Sequence, residues 1–232
     1  MVSDNELYGG GVMFCKEWEE RYSQGMSHSL WPWTDLIKYV NRYGNLVAGD
    51  KVLELGPGIG ANIPYFLSIG VDYYAIEGSP TAVKMIRDKY PELAGKIING
   101  DFTKNIPFDM KFNLVIDRSS LTHNDTASIM DSLTFISDKL MPEGKFIGID
   151  WFSWEHGQRR LGSQGKDPYT FTFEQGKFIK CGKVHFSTEA HISTVFGESG
   201  FEIEVLEHKI NQNIKPNVGN TEAVWNLVAM LI

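Results

Sequence analysis

Acidic side chains at the ends of apolar runs are the first residues in this chain whose types and spacing could do chemistry. Glu54 is the most informative. It stands two residues before the first of three alternating glycines, in Glu54-Leu55-Gly56-Pro57-Gly58-Ile59-Gly60. The short apolar run Val52–Leu55 enters this turn and a helical pattern leaves it, which predicts a buried strand, a tight turn and a helix. Glycines let the backbone approach a ligand and take positive φ without steric cost. The helix that follows is expected to offer unpaired N–H groups at its start. Gly56-Pro-Gly58-Ile-Gly60-Ala61 formally fits the dinucleotide fingerprint, which permits alanine at the last place. Glu54 argues against that ligand. A carboxylate on the last turn of a buried strand is costly unless paired; a cationic amine would pair it, and a pyrophosphate would be repelled.

Further carboxylates stand at later strand ends. Glu77, in Glu77-Gly78-Ser79-Pro80, is placed to accept both hydroxyl protons of a ribose. Charged hydrogen bonds of this kind are worth about 1.5–3 kcal/mol each. Glu77 would serve any adenosine-containing ligand, so it does not choose between candidates. Asp101-Phe102 can supply an acceptor to an adenine amino group and an apolar neighbour to its ring. Asp117-Arg118-Ser119-Ser120-Leu121-Thr122-His123-Asn124 ends the next strand. His123 there has an unperturbed pKa near neutrality, which suits a general base, and His156 is a second candidate. Asp117 and Asp150 suit positioning, while His185 and His191 read as structural residues near a helix start.

The elements that must position these groups alternate along the chain. Strands are predicted at 51–55, 71–76, 96–99, 112–116 and 145–150, with helices over 61–69, from Pro80, and from a cap at Asp125 to a stop at Pro142-Glu-Gly144. A helix through Ile192, Val195 and Phe196 precedes strands at 201–208 and 223–231. Strand–helix alternation predicts a doubly wound, Rossmann-like α/β sheet of seven mostly parallel strands. The last two strands lack an intervening helix and are expected to pair antiparallel at one edge. Residues 1–45 read as N-terminal cap helices, with Phe14, Trp18 and Tyr22 on one face. The stiff Trp31-Pro32-Trp33 loop suits a cover over a flat adenine or a sulfonium. Residues 151–187 are too long for an ordinary strand–helix loop. They hold Trp151, His156, Tyr169 and an alternation around Gln175-Gly176 that predicts a hairpin of 170–173 with 178–180. Leaving the carboxyl end of a strand, this insertion is expected to be a substrate lid.

Composition narrows the field. A length of 232 residues fits one α/β domain. The formal net charge of −7 argues against a nucleic-acid partner. Cys15 and Cys181 show no metal spacing, and no metal site is expected. The absence of a long apolar run or a basic-then-apolar leader predicts no membrane partner and a cytoplasmic protein.

Glu54-x-Gly56-x-Gly58-x-Gly60 resembles the S-adenosylmethionine (SAM) loop of class I methyltransferases, and the likeness extends over Lys51–Asp150 with the final strand pair. Trp18-Glu-Glu-Arg21-Tyr22…Trp31-Pro-Trp33 and Asp117-Arg118-Ser-Ser-Leu121 resemble the thiopurine, thiol and tellurite-type small-molecule methyltransferases. Those carry a Trp-containing N-terminal segment against the cofactor and an Asp-Arg-Gly-Ala-Leu-like turn after strand four; Ser119-Ser120 stands here in place of Gly-Ala. The resemblance implies SAM as cofactor and S-adenosylhomocysteine as product. It implies that Trp33, Glu54, Gly56, Gly58, Gly60, Glu77, Gly78, Ser79, Asp101, Phe102 and Asp117 face the cofactor. The reaction implied is direct in-line displacement onto a small-molecule acceptor such as a sugar, a nucleotide-linked metabolite or a natural-product intermediate. A thiol needs little base help, so His123 fits a hydroxyl or amine better. Trp31, Arg118, Trp151 and Tyr169 are expected at the acceptor, with Arg118 or the Arg159-Arg160 pair taking an anionic handle. No Asn-Pro-Pro-Tyr-type motif follows strand four, which weighs against a nucleic-acid base amine or a protein amide. An NAD(P)-dependent oxidoreductase and a non-catalytic SAM-binding or dimerising module are the alternatives, and a homodimer is left open.

Overall fold

Val52, Leu53 and Leu55 are almost fully excluded from solvent, because the strand they form has neighbours on both sides and helices on both faces. The computed structural model describes residues 16–216 and 221–232; Phe14 and Cys15 lie outside them. Strand β1 (Lys51–Leu55) is joined by β2 (Asp72–Glu77), β3 (Ile97–Asn99), β4 (Phe112–Arg118) and β5 (Leu140–Phe152) in one parallel array. The final strands β9 (Phe201–Gln212) and β10 (Thr221–Leu231) complete a seven-stranded sheet in the order β3-β2-β1-β4-β5-β10-β9. β10 runs antiparallel to both β5 and β9, so the expected edge pair is present and β10 is its inner member. The order reverses between β1 and β4. That is where an open α/β sheet leaves a crevice at its carboxyl edge.

Successive residues of a strand point to opposite faces, and the two cores follow from that alternation. On one face Leu53, Leu55 and Val115 pack with Ile129 and Leu133 of α5 (Thr126–Lys139) and Ile192 and Phe196 of α6 (Glu189–Glu198). On the other, Val52, Leu114 and Ile147 pack with Leu36 and Val40 of α2 (Thr34–Tyr43), Phe66 of α3 (Ile63–Ser68) and Val83 of α4 (Pro80–Lys89). The predicted caps form: Ser79 Oγ accepts from the Ala82 N–H and Asp125 Oδ1 from the Ser128 N–H. Most boundaries shift by a few residues, and one differs in kind. Pro142-Glu-Gly144 does not separate helix from strand, because β5 begins directly at Leu140. The register jumps from Phe112 opposite Leu140 to Leu114 opposite Lys145, so the Pro-Gly stretch is absorbed as a bulge with Glu143 at φ 65°.

The insertion after β5 also differs. The hairpin expected between 170–173 and 178–180 does not form. Instead β7 (Thr170–Thr172) pairs with β6 (Ser163–Gln164) and β8 (Val184–His185). Phe173 and Phe178 both turn into an aromatic cluster with Phe152, Phe171 and Phe186, which wraps the chain around a small core. Ser187 staples this unit to the sheet: its carbonyl accepts from Trp154 N–H and Trp225 Nε1–H, and its hydroxyl from Trp151 Nε1–H. As the sequence suggested, His185 and His191 are structural. Their Nε2 atoms lie 3.1 Å apart inside the packing of β8 against α6. Removing the ring at the centre of the insertion core, Phe186→Ala, should cost about 3–5 kcal/mol. Urea denaturation should show the loss in a single transition shared by the insertion and the sheet.

Candidate functional site

A cavity of about 310 Å³ opens at the carboxyl ends of β1, β2 and β4. Its floor is the glycine turn. Gly56 and Gly58 both have φ of 59°, and neither tolerates a side chain. A Cβ on Gly56 would meet Ser120 Cβ at 2.5 Å, and one on Gly58 would meet the Tyr22 hydroxyl at 2.6 Å. The N–H groups of the first residues inside the following helix are not free. Gly60 N–H donates to Pro57 O and Ile63 N–H to Gly60 O, and Pro64 has none.

Glu77 is buried and accepts from Gly58 N–H at 2.9 Å and from Ser79 N–H at 2.8 Å. Burial pushes its pKa up to about 7, against the pull of the Ser79, Gly58 and Gly78 N–H groups. Glu54 is also buried, with Oε1 accepting from Asn62 Nδ2–H at 2.7 Å and Oε2 from the Tyr73 hydroxyl at 2.5 Å. Its pKa is raised, by burial first, with both hydrogen bonds opposing. Asp117 lies beneath the turn after β4. Its Oδ1 accepts from Ser120 N–H and hydroxyl and from Leu121 N–H, and burial lifts its pKa to about 6.

The roof comes from the N-terminal region. Helix α1 (Lys16–Ser23) lays Trp18 and Tyr22 over the cavity. Glu19 pins that helix to the start of α4 by accepting from the Ser79 and Thr81 hydroxyls. Trp33 closes one side, with the Arg118 guanidinium stacked 3.4 Å from its ring centroid and paired to Asp150 at 2.7 Å. His123 sits edge-on to Trp18 with ring centroids 4.9 Å apart, and its Nδ1 lies 3.0 Å from the Lys183 carbonyl oxygen. Only an Nδ1–H can satisfy that carbonyl. Burial lowers the His123 pKa to about 4, so the ring is neutral at ordinary pH.

The structure therefore brings Trp33, Glu54, Gly56, Gly58, Glu77, Gly78, Ser79, Phe102, Arg118 and His123 to one wall. Others fall elsewhere. Gly60 shapes the turn behind the wall, and Asp101 spends Oδ1 on Thr103 N–H and hydroxyl. Trp31 is 80% exposed and off the cavity. Trp151 and His156 are buried in packing around the insertion, His156 accepting from Gln158 N–H, and Tyr169 stacks 3.5 Å from His191. Arg159 stacks on Trp154. The insertion supplies no side chain to the wall and supports it from behind through the Lys183 and Ile179 carbonyls. It is a buttress to the cavity, and the cover is α1. Asn62, Tyr73, Tyr22 and Glu19 were not singled out as site residues from sequence; for Asn62 the available signal was a polar residue two positions after the last glycine. Among the described residues, no cluster of three or more His, Cys, Asp or Glu is placed to hold a metal.

Comparison with known proteins agrees with this geometry. Residues 53–148 match the family described as a methyltransferase domain. A stretch of 70 residues is 40% identical to ribosomal RNA small subunit methyltransferase A of Chlorobaculum parvum, taking in 30% of this chain and 25% of that protein. The match thus spans about a quarter of the curated relative's length. A SAM-dependent methyltransferase of Methanosarcina mazei has the same fold, with a TM-score of 0.66 at 17% identity over 88% of this chain and 99% of that one. The glycopeptide N-methyltransferase MtfA, complexed with SAM, gives a TM-score of 0.59 at 17% identity over 86% and 93% of the two chains. Residues 53–148 thus resemble a methyltransferase domain, the chain shares the fold of SAM-dependent methyltransferases, and the cofactor of that class is SAM.

The residues present fit that cofactor: a cradle too tight for a Cβ, a ribose-type acceptor in Glu77 and a buried acid in Glu54 for an ammonium. The raised pKa of Glu77 sets a pH dependence. Between the ordinary carboxylate value and about 7 the folded state holds this proton more tightly than the unfolded chain, so ionisation lowers stability as pH rises through about 7. Accepting ribose hydroxyls favours the ionised form, so S-adenosylhomocysteine should bind more tightly over the same rise. Titration calorimetry from about pH 6 to about pH 8 should show this gain in wild type and a weak, flat profile in Glu77→Gln.

Proposed function

We propose that this protein is a SAM-dependent methyltransferase acting on a hydroxyl or amine of a small molecule. The observation that carries the reading is the use of the glycine turn's donors. Gly58 N–H and Ser79 N–H are spent on Glu77, and the Ile63 and Tyr65 N–H groups at the start of the helix bond back to Gly60 and Asn62, which favours a ribose over a pyrophosphate. Glu54 on the same wall adds an acid that suits an ammonium.

SAM supplies a methyl group on a sulfonium, already a good leaving group, so the chain's task is alignment and removal of a proton. On this reading His123 takes the proton of the acceptor hydroxyl or amine. Its Nδ1–H is committed to the Lys183 carbonyl and its ring is neutral, the form a base needs, while burial makes it a weaker base than a free imidazole. Trp18, Tyr22 and Trp33 hold a flat or cationic partner, and Arg118 faces an anionic handle on the acceptor. The net charge of −7 weighs against RNA as the acceptor, although the short match above is to a ribosomal RNA enzyme. Among the described residues no helix is long and apolar enough to cross a membrane. The reading places the enzyme in the cytoplasm as one methyltransferase domain with a built-in insertion, and a homodimer is compatible with it.

The test is thermal unfolding with S-adenosylhomocysteine or NADH. At 100 times its dissociation constant a ligand stabilises by about 2.7 kcal/mol. Stabilisation by S-adenosylhomocysteine that is lost in Glu77→Ala is the expected result, and stabilisation by NADH alone would replace this reading with a dehydrogenase. Once an acceptor is found by screening, His123→Ala should lower kcat by about 10²–10⁴-fold while leaving S-adenosylhomocysteine affinity nearly unchanged. Equal turnover in the variant would remove His123 as base.

A further inference from the structure

We propose that Asn62 is a positioning residue that couples the amine end of the cofactor site to the aromatic loop at the cavity's side. The proposal rests on the reading that a cationic amine is drawn to Glu54. Asn62 is 3% exposed and directly precedes α3, at the helix-cap position. Asparagine is a favoured cap residue, yet its side chain makes no capping bond to α3. The amide is turned outward into the cavity wall instead. Its Nδ2–H donates to Glu54 Oε1 at 2.7 Å, and its Oδ1 accepts from the Trp33 N–H at 3.2 Å.

The chemistry of the neighbours permits only that orientation. A backbone N–H only donates, so the amide oxygen must face Trp33 and the amide nitrogen Glu54. The other Glu54 oxygen is tied to the Tyr73 hydroxyl, so a shift of the carboxylate toward an incoming ammonium is felt at Asn62. From there it reaches the backbone of Trp33, whose ring lies under Arg118, which in turn is paired with Asp150. Trp33 is thus held at its N–H by Asn62 and at its ring by Arg118. Buried hydrogen bonds in series polarise and fix one another. Occupancy at Glu54 and order in the loop then become linked equilibria, and each must favour the other.

The experiment is hydrogen exchange of the peptide over residues 31–36, with and without S-adenosylhomocysteine, alongside calorimetry of the same ligand. Wild type should bind and slow exchange at Trp33 on binding. Asn62→Ala should bind about tenfold more weakly, and the ligand-dependent slowing should vanish. Asn62→Asp keeps an acceptor for the Trp33 N–H but loses the donor to Glu54. It should keep the slow exchange of the free protein without the further gain on binding, which separates coupling from simple loss of structure. A variant that binds the ligand and retains the full slowing overturns the coupling, as does wild type that binds without slowing. Wild type that does not bind at all overturns the functional reading instead.

Discussion

The buried carboxylate of Glu77 is the constraint on which the rest of the site depends. Two turns that are distant in sequence, one after β1 and one after β2, have N–H groups pointing into the same space. Left alone they would be an anion site. Glu77 fills it from within, so a fixed protein charge takes the place that a phosphate would take elsewhere. Desolvation of the acid is costly, and the backbone donors offset it only partly, which leaves its pKa near 7. The residual acceptor capacity of the carboxylate is what a ligand hydroxyl can use.

Around that point the wall is assembled from separate parts of the chain. Glu19 ties α1 to the start of α4, and the same Ser79 that caps α4 receives both its own helix's N–H and a contact from the roof. The insertion holds His123 by a carbonyl while burying its own aromatic rings among themselves. Acidic groups outnumber basic ones at the wall, with Glu54 and Glu77 buried there and Arg118 paired to Asp150. A cavity with that balance receives a cationic, uncharged or zwitterionic ligand more readily than a polyanion.

Much of this was legible in the chain. Glu54, the alternating glycines and Glu77 carried both the fold and the ligand class, because strand-end position and backbone conformation are local properties that residue type reports directly. The caps at Ser79 and Asp125 were readable for the same reason. Trp151, Tyr169 and His156 read as site residues in the chain, and the fold packs them away from the cavity lining. An aromatic residue reads alike in sequence whether it lines a pocket or fills a core, and the insertion carries enough rings to make a core of its own. The mispaired hairpin at 170–180 has the same origin, since alternation does not say which strand a segment will find.

The sequence by itself determined the doubly wound sheet, the crevice at the β1–β4 reversal and the identity of the acids facing it, because periodicity, glycine placement and strand order follow from short-range rules. Only the tertiary structure decided where the donors go. Gly58 N–H meets Glu77 across 19 positions, Asn62 meets Trp33 across 29, and Ser79 meets Glu19 across 60. Such partners are chosen by the packing of one element on another. A buried polar group takes whichever partner the packing brings within reach, and no local pattern in the chain encodes that choice.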